Sequence, residues 1–442
     1  MSNNLVPKVI ITEAVQSLAV PRDNQVVIGM IGTSATWTAN TVYNIASVSQ
    51  ADTIFWGNYS YGATLWLMIR RAFAEWASLI RAVSIWQPTT ALLWNDIMSA
   101  NSLAGADTIT VVSTAGFTNW NECYIGTGQT YGFEEKRTIL AVTPTTIQFT
   151  APLTFPHYIG EIAQEVTAKI TTDYDLAIQA MLEDEQKTTV VCELNDNATA
   201  VKLEQMCIDS RDKYNTPCVY FRGAEATDDA TSIIAKAQAQ NSDKVIIWYP
   251  LLTDFNWKTV TSWEAAAALC WAIAWNWVPK LNHNFTAFDW FGWVVSKISD
   301  MDALISAWVT PIELKYSSIH IVRLVTTSTT TNSVPDKTRQ EWAVRLNVDF
   351  IEKAITKVLQ QKFLQQGNTA QVREAMKAEV SAMLQKYAAM DILVADTATN
   401  TPAFREPVVS TDPNDNTKVN VDVEIAPGKP LNFISLNFKV YL

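Results

Sequence analysis

Nucleophilic and metal chemistry need histidine, cysteine or carboxylate side chains gathered at relay or ligand spacing. The three histidines of this 442-residue chain, His157, His283 and His320, stand in three different segments without such spacing. Its five cysteines (Cys123, Cys192, Cys207, Cys218 and Cys270) are odd in number, scattered, and include no Cys-x-x-Cys pair. They read as reduced, small core residues. Gly126-x-Gly128 has Tyr131 where a dinucleotide fingerprint needs its third glycine, and it falls among short strands; it is read as a turn. No Gly-x-x-x-x-Gly-Lys-Ser/Thr loop is present, so the chain is not expected to be an ATP-driven motor. The acidic runs Glu183-Asp184-Glu185 and Asp300 with Asp302 fit helix surfaces. No catalytic residue, metal ligand set or cofactor is expected. An enzyme would have to use the crevice at the strand ends of the α/β layer over residues 174–249.

Composition points toward partners instead. A net charge of −11 and a pI near 4.9 argue against a nucleic-acid binder, which needs a concentrated basic surface. Only 17% of residues are charged, while 48% are hydrophobic and 17 are tryptophan. Aromatic residues gather and charges thin out in interface cores, so much of the surface is expected to be covered by neighbouring copies; the plainer reading is a large aromatic core. One stretch departs from the acidic background. Residues 337–390 carry nine basic side chains (Lys337, Arg339, Arg345, Lys353, Lys357, Lys362, Arg373, Lys377, Lys386) and five acidic ones (Glu341, Asp349, Glu352, Glu374, Glu379), a balance of +4. It suits an acidic partner, and it equally suits solvated helix faces with i,i+4 pairs such as Asp349 with Lys353. No charged n-region followed by an apolar core opens the chain, so synthesis in a cytosol is expected. The longest apolar run, residues 265–275, is short of the roughly 20 residues of a spanning helix; it is read as a buried helix, with no membrane insertion.

At roughly 100–200 residues per domain, the chain should hold two to four. An arm over residues 1–20 leads into an α/β unit over 21–96, with a β-rich run at 26–32, a turn at Asn40-Thr41, a helix over 63–76 and a strand over 79–86. Over 97–165 the texture changes to short strands (108–112, 124–125, 138–142, 145–150) separated by Gly, Asn and Pro, which predicts an inserted small all-β domain. The α/β texture then resumes over 166–310: helices at 177–185, 198–213 and 228–239 alternate with strands at 188–193, 217–221 and 244–249. Runs such as Val245-Ile246-Ile247-Trp248-Tyr249 suit a sheet covered on both faces. An apolar helix over 263–277 and a short one over 301–307 follow. Residues 311–442 should form a C-terminal unit with a strand over 318–326, a Thr/Ser-rich loop over 326–333, and long helices over 338–363 and 369–390 broken at Gly367-Asn368. The expected fold class is α/β, multidomain.

The two ends carry a further hint. Val419, Val421, Val423 and Ile425 alternate with polar residues, and beyond Pro427-Gly428 so do Ile434, Leu436, Phe438, Val440 and Leu442, the pattern of strands with one apolar side. Val9, Ile10, Ile11 and Thr12 make a short β-rich stretch near the start. Chain ends are normally frayed and polar unless tied down, so such strands imply a partner sheet in this subunit or another. These residues are the expected linking strands between subunits.

The order of these segments resembles the tail sheath proteins of contractile phage tails, and their relatives in pyocins and other contractile injection machines. Pro7-Lys8-Val9-Ile10-Ile11-Thr12-Glu13 is similar to the opening strand of that family, and Ile28-Gly29-Met30-Ile31-Gly32-Thr33 to the next. Residues 265–277 followed by 282–292 resemble its Ala-rich helix and turn, and 319–327 its strand before an Arg-Thr-Thr-like loop, although Arg323 stands a few residues ahead of Thr326-Thr327. Glu341-Trp342-Ala343-Val344-Arg345-Leu346 with Asp349-Phe350-Ile351 resembles the start of the sheath helix. The all-β stretch, with Thr114-Ala115-Gly116-Phe117 and Ile125-Gly126-Thr127-Gly128-Gln129-Thr130, resembles the variable outward insertion of many sheaths. The resemblance implies a virion subunit, assembled in the host cytoplasm, that polymerises with itself as a helix of stacked, hexameric rings around a tail tube. Baseplate and terminator proteins are further implied partners, and contraction without nucleotide drives the tube through a host envelope for genome delivery. Arg373, Lys377 and Lys386 are the tube-facing candidates. The alternative is another phage tail or baseplate component.

Overall fold

The computed structural model of the chain describes residues 27–428 apart from 35–38, 56–63, 75–78, 87–91, 128–134, 167–170, 185, 215, 226–227, 254–259, 276–286, 289–290, 292, 295–300, 316–317, 329, 332–333, 336–340, 396–399 and 427. Runs of apolar residues that are buried on both faces make its centre. Strand β1 (Ile28–Ser34) is buried along its whole length, as expected of a parallel strand sandwiched between helices. It is followed by β2 (Val42–Ile45), helices α1 (Val48–Phe55) and α2 (Thr64–Ala74), and β3 (Ile80–Trp86). Asn40 sits at the turn before β2 in the left-handed backbone region, with φ of 59°, a conformation asparagine tolerates well.

Six short strands come next: β4 (Leu92–Ile97), β5 (Thr108–Thr110), β6 (Glu122–Thr127), β7 (Glu135–Val142), β8 (Thr146–Phe149) and β9 (Ile162–Val166). They hydrogen-bond in the order β4-β9-β6-β7-β8-β5. A bridge between Met98 and Val111, with Val112 N–H donating to the Ile97 carbonyl at 3.0 Å, then joins β5 back to β4. The sheet closes into a barrel around Met98, Ile109, Ile125, Ile139, Ile147 and Phe149. Its outermost strands in sequence, β4 and β9, pair with each other, so the chain enters and leaves side by side.

The α/β layer then resumes with α3 (Asp175–Glu183), β10 (Thr189–Cys192), α4 (Asn197–Tyr214), β11 (Val219–Gly223), α5 (Ala230–Gln240) and β12 (Val245–Tyr249). The ends of α5 explain themselves: Asp229 and Ser232 form a reciprocal capping box, and Asn241 closes the helix in the left-handed region. Gly223 is required where it stands, because a β-carbon there would lie within 2.4 Å of the Trp248 ring. After the two-residue strand β13 (Leu252–Thr253) come α6 (Ser262–Trp275), β14 (Ala287–Phe288), β15 (Trp293–Val294), which pairs with β13, and α7 (Met301–Ser306). Strands β16 (Thr310–Lys315) and β17 (Ser318–Ile321) follow, then the small pair β18 (Thr330–Thr331) and β19 (Val334–Pro335).

Among the described residues, nine strands form one sheet in the order β14-β17-β16-β12-β11-β10-β1-β3-β2. Strands β3, β1, β10, β11, β12 and β16 run parallel, and β2, β14 and β17 pair antiparallel at the edges. The fold class is α/β. Strand β17 stops at Ile321, short of the expected 326: Arg323 turns aside to pair with Glu341, and Val325 makes only an isolated bridge to Glu341. Two long helices, α8 (Trp342–Phe363) and α9 (Ala370–Ala389), and a hairpin of β20 (Val408–Asp412) and β21 (Asp415–Asp422) follow. The sheet therefore extends past residue 310, and Trp342 at the head of α8 packs in its core.

Candidate assembly interface

Helix α8 places Ile351, Ile355, Leu359 and Phe363 at four-residue steps on one face, where they meet Val380, Leu384 and Tyr387 of α9 and the following Ile392 and Leu393. Thr369 caps α9, its hydroxyl accepting from Val372 N–H at 3.2 Å. The hairpin lies against this pair. Asn368, in the turn between the helices, donates to the Asn416 carbonyl at 2.6 Å.

The N-terminal half of α8 is fastened elsewhere. Arg345, almost completely buried, binds Asp349 through Nε at 2.8 Å and Asp243 at 3.1 Å. Lys244 Nζ reaches Asp349 at 3.2 Å, and Arg211 holds Glu352 through two nitrogens at 3.0 and 2.7 Å. Burial would push the Asp349 carboxyl up, but the charges of Arg345 and Lys244 outweigh it and hold the carboxyl below its ordinary range. Arg345 is thus internal and does not belong to a solvent-facing basic stripe, and Asp349 pairs with the residue four before it and with Lys244.

The candidate linking residues divide into three groups. Val9, Ile10, Ile11 and Thr12, like Ile434, Leu436, Phe438 and Val440, lie outside the described residues. Val419 and Val421 are in β21 and pair with Thr411 and Val409 of β20 in the same chain. Val423 and Ile425 continue past the strand: Arg405 N–H donates to the Glu424 carbonyl, Phe404 bridges Ile425, and both apolar side chains pack on the helix cluster. One edge of this segment is therefore occupied from within. Neither β20 nor β21 has another strand beside it among the described residues, so the outer edge of each has backbone groups that a further strand could satisfy.

The basic candidates on α9 also separate. Arg373 donates to the Asn368 side chain at 2.6 Å and Lys377 pairs with Glu406 at 2.8 Å, so both turn toward the hairpin side. Lys386, nine residues beyond Lys377, projects on the opposite face of the helix and is exposed. Sequence reasoning missed β20 altogether. The signal was there: Pro413-Asn414-Asp415-Asn416 between two β-branched runs marks a hairpin turn.

The crevice that an α/β enzyme would use lies between β1 and β10, where the strand order reverses. Here it holds a carboxylate of the chain itself. Thr33 donates to Glu193 at 3.0 Å, Tyr174 at 2.6 Å, and Thr64 also donates to it. Among the described residues no group of three or more His, Cys, Asp and Glu side chains could hold a metal ion, and no helix is long and apolar enough to cross a membrane. The five cysteines are buried thiols, none of them in a disulfide.

Residues 335–441, which span α8, α9 and the hairpin, match the family model of the phage tail sheath C-terminal domain. Over nearly its whole length the chain superposes on solved sheath proteins. A sheath tail protein from Desulfitobacterium hafniense aligns at a TM-score of 0.59 and 12% identity, covering 93% of this chain and 99% of the other. The helical sheath of the anti-feeding prophage in its contracted state gives 0.58 and 12%, covering 99% of each chain. The contracted sheath of an extracellular contractile injection system, PVC, gives 0.57 and 12%, covering 99% and 98%. The chain has the fold of a contractile sheath protein. Within this sheath fold, the helix pair and open hairpin form the part that the family model matches by sequence, while the barrel lies outside the matched residues. No curated protein matches the chain by sequence.

Proposed function

We propose that this chain is a structural, non-enzymatic subunit of a contractile tail. It polymerises as stacked, hexameric rings around a tail tube, anchored by baseplate and terminator proteins, and contracts to drive the tube through a cell envelope. The observation that carries the reading is the hairpin β20–β21, whose outer edges are unpaired among the described residues, within the region matched to a sheath C-terminal domain. Such edges accept donated strands, whose backbone hydrogen bonds hold neighbours together while the connecting chain bends. Residues 434–440 have the alternating composition of such donors, and residues 9–12 are a short β-rich stretch. The unit division we propose is an arm over 1–20, a middle α/β domain over 21–96 and 166–310 extended by β16 and β17, an outward β domain over 97–165 extended to take in all of β4 and β9, and a tube-side domain over the rest of 311–442 with Arg373, Lys377 and Lys386 as tube-facing candidates. The particle would be a virion assembled in the host cytoplasm.

Deletion of residues 433–442 tests the linkage. Full-length protein should form long hollow cylinders by electron microscopy, and the truncated chain should stay in short or monomeric species. Normal cylinders from the truncated chain would sink the donated-strand mechanism. Similarity to sheaths of the anti-feeding prophage and of an extracellular injection system favours a second reading, in which the particle delivers something other than a genome. Nucleic acid in purified particles separates the two.

A further inference from the structure

The barrel holds a histidine outside the linking and tube-facing candidates. His157 is completely buried. Its Nε2 lies 2.8 Å from Glu135 Oε1 of β7, and its Nδ1 lies 2.7 Å from Glu161 Oε2 in the turn before β9. An imidazole with a carboxylate on each nitrogen needs both protons, because a neutral ring would turn a lone pair toward one of them. Arg137 of β7 also pairs with Glu135, so two carboxylates face two cations.

These groups tie down one loop. Glu135 accepts from the backbone N–H of Thr154 at 2.9 Å and of Phe155 at 3.2 Å. Arg137 donates to the Pro152 carbonyl at 2.9 Å and to the Thr154 hydroxyl at 2.6 Å. The backbones of His157 and Ser102 exchange two hydrogen bonds of 2.8 Å. Immediately beside these anchors, Leu103, Tyr158 and Ile159 are exposed by 76%, 56% and 65%. Large apolar tips held this openly are displayed surface, not core.

We propose that His157, Glu135 and Glu161 form a protonation-dependent clasp that fixes the 152–161 loop of the barrel and the apolar tips it displays. Burial disfavours the charged ring, but hydrogen bonds and charge from Glu135 and Glu161 outweigh burial and raise the His157 pKa above its ordinary 6.5. Burial likewise pushes Glu135 up, and His157 with the Thr154 and Phe155 amides and Arg137 brings it below its ordinary 4.5. A raised histidine stabilises fully below 6.5 and loses that contribution as pH rises through its folded value; a lowered carboxylate stabilises fully above 4.5 and loses it as pH falls. The clasp is therefore fully closed between about pH 4.5 and 6.5 and opens on the alkaline side.

The test is hydrogen–deuterium exchange of the full-length chain, read on peptides covering 150–162 and corrected for the intrinsic pH dependence of exchange. Wild-type protection should be high at mildly acidic pH and fall about tenfold for each pK unit of linkage as the ring deprotonates. In His157→Gln the same peptides should be less protected and insensitive to pH over the alkaline limb. Glu161→Gln should keep the low-pH protection and move the midpoint to lower pH, and it decides the matter if His157→Gln does not fold. Wild-type protection that is flat across the alkaline limb, or a midpoint unmoved in Glu161→Gln, would overturn the clasp. The outcome does not depend on whether the chain polymerises.

Discussion

The barrel and the terminal hairpin are both small antiparallel β structures, and they have opposite relations to their surroundings. The barrel joins its last strand to its first through the Met98–Val111 bridge and fills its interior with buried apolar side chains. Among the described residues it has no free edge of the kind that recruits a further strand. The hairpin has two strands with no fully buried residue, leans on α9, and has outer edges unpaired among the described residues. A two-stranded ribbon is marginal alone. The difference teaches where sociability resides: closure makes a unit self-sufficient, whereas an open ribbon is completed by whatever pairs with it.

Four substitutions test this contrast. The largest effect is expected from Arg345→Ala, which strips one of two cations, leaving only Lys244, from the buried Asp349 carboxylate at the base of the helix pair that supports the hairpin. It should cost about 3–5 kcal/mol in urea denaturation. In wild type, stability from Asp349 should be present above its ordinary value of 3.8 and drain away as pH falls below it; a flat acid limb would show that the network carries no such linkage. Next, Ile147→Ala inside the barrel should lower stability by about 2–5 kcal/mol while cylinders still form, because the barrel's contribution is internal. Val421→Ala in the hairpin should reverse that profile: about 1 kcal/mol or less for the isolated subunit, yet fewer and shorter cylinders by microscopy. Equal effects of Ile147→Ala and Val421→Ala on cylinder length would erase the distinction. Smallest of all, Glu406→Ala removes the surface partner of Lys377 and should leave the denaturation midpoint where it was.

Much of the platform was legible because its signals are local. The apolar runs of β1, β10, β11 and β12 and the periodicity of α8 and α9 fell within a few residues of their observed bounds, since burial on two faces or one stripe writes itself into neighbouring positions. The barrel's outer strands were harder. Leu92–Ile97 carries Trp94, Asn95 and Asp96, and Ile162–Val166 is short and mixed, so their pairing with each other, between residues some 70 apart, had no local trace. The same holds for charge. Arg345 was counted with the basic residues of 337–390 because its partner Asp243, and Lys244 which shares Asp349 with it, lie about a hundred residues away in sequence, and no spacing rule reaches that far. His157 lacked ligand spacing, and only the fold brings Glu135 to its far side.

Because β4 and β9 pair with each other, the two ends of the barrel's stretch of chain lie side by side as adjacent stems. A cassette of different shape could be spliced onto those stems with little demand on the platform, which makes the barrel the most exchangeable part of this fold.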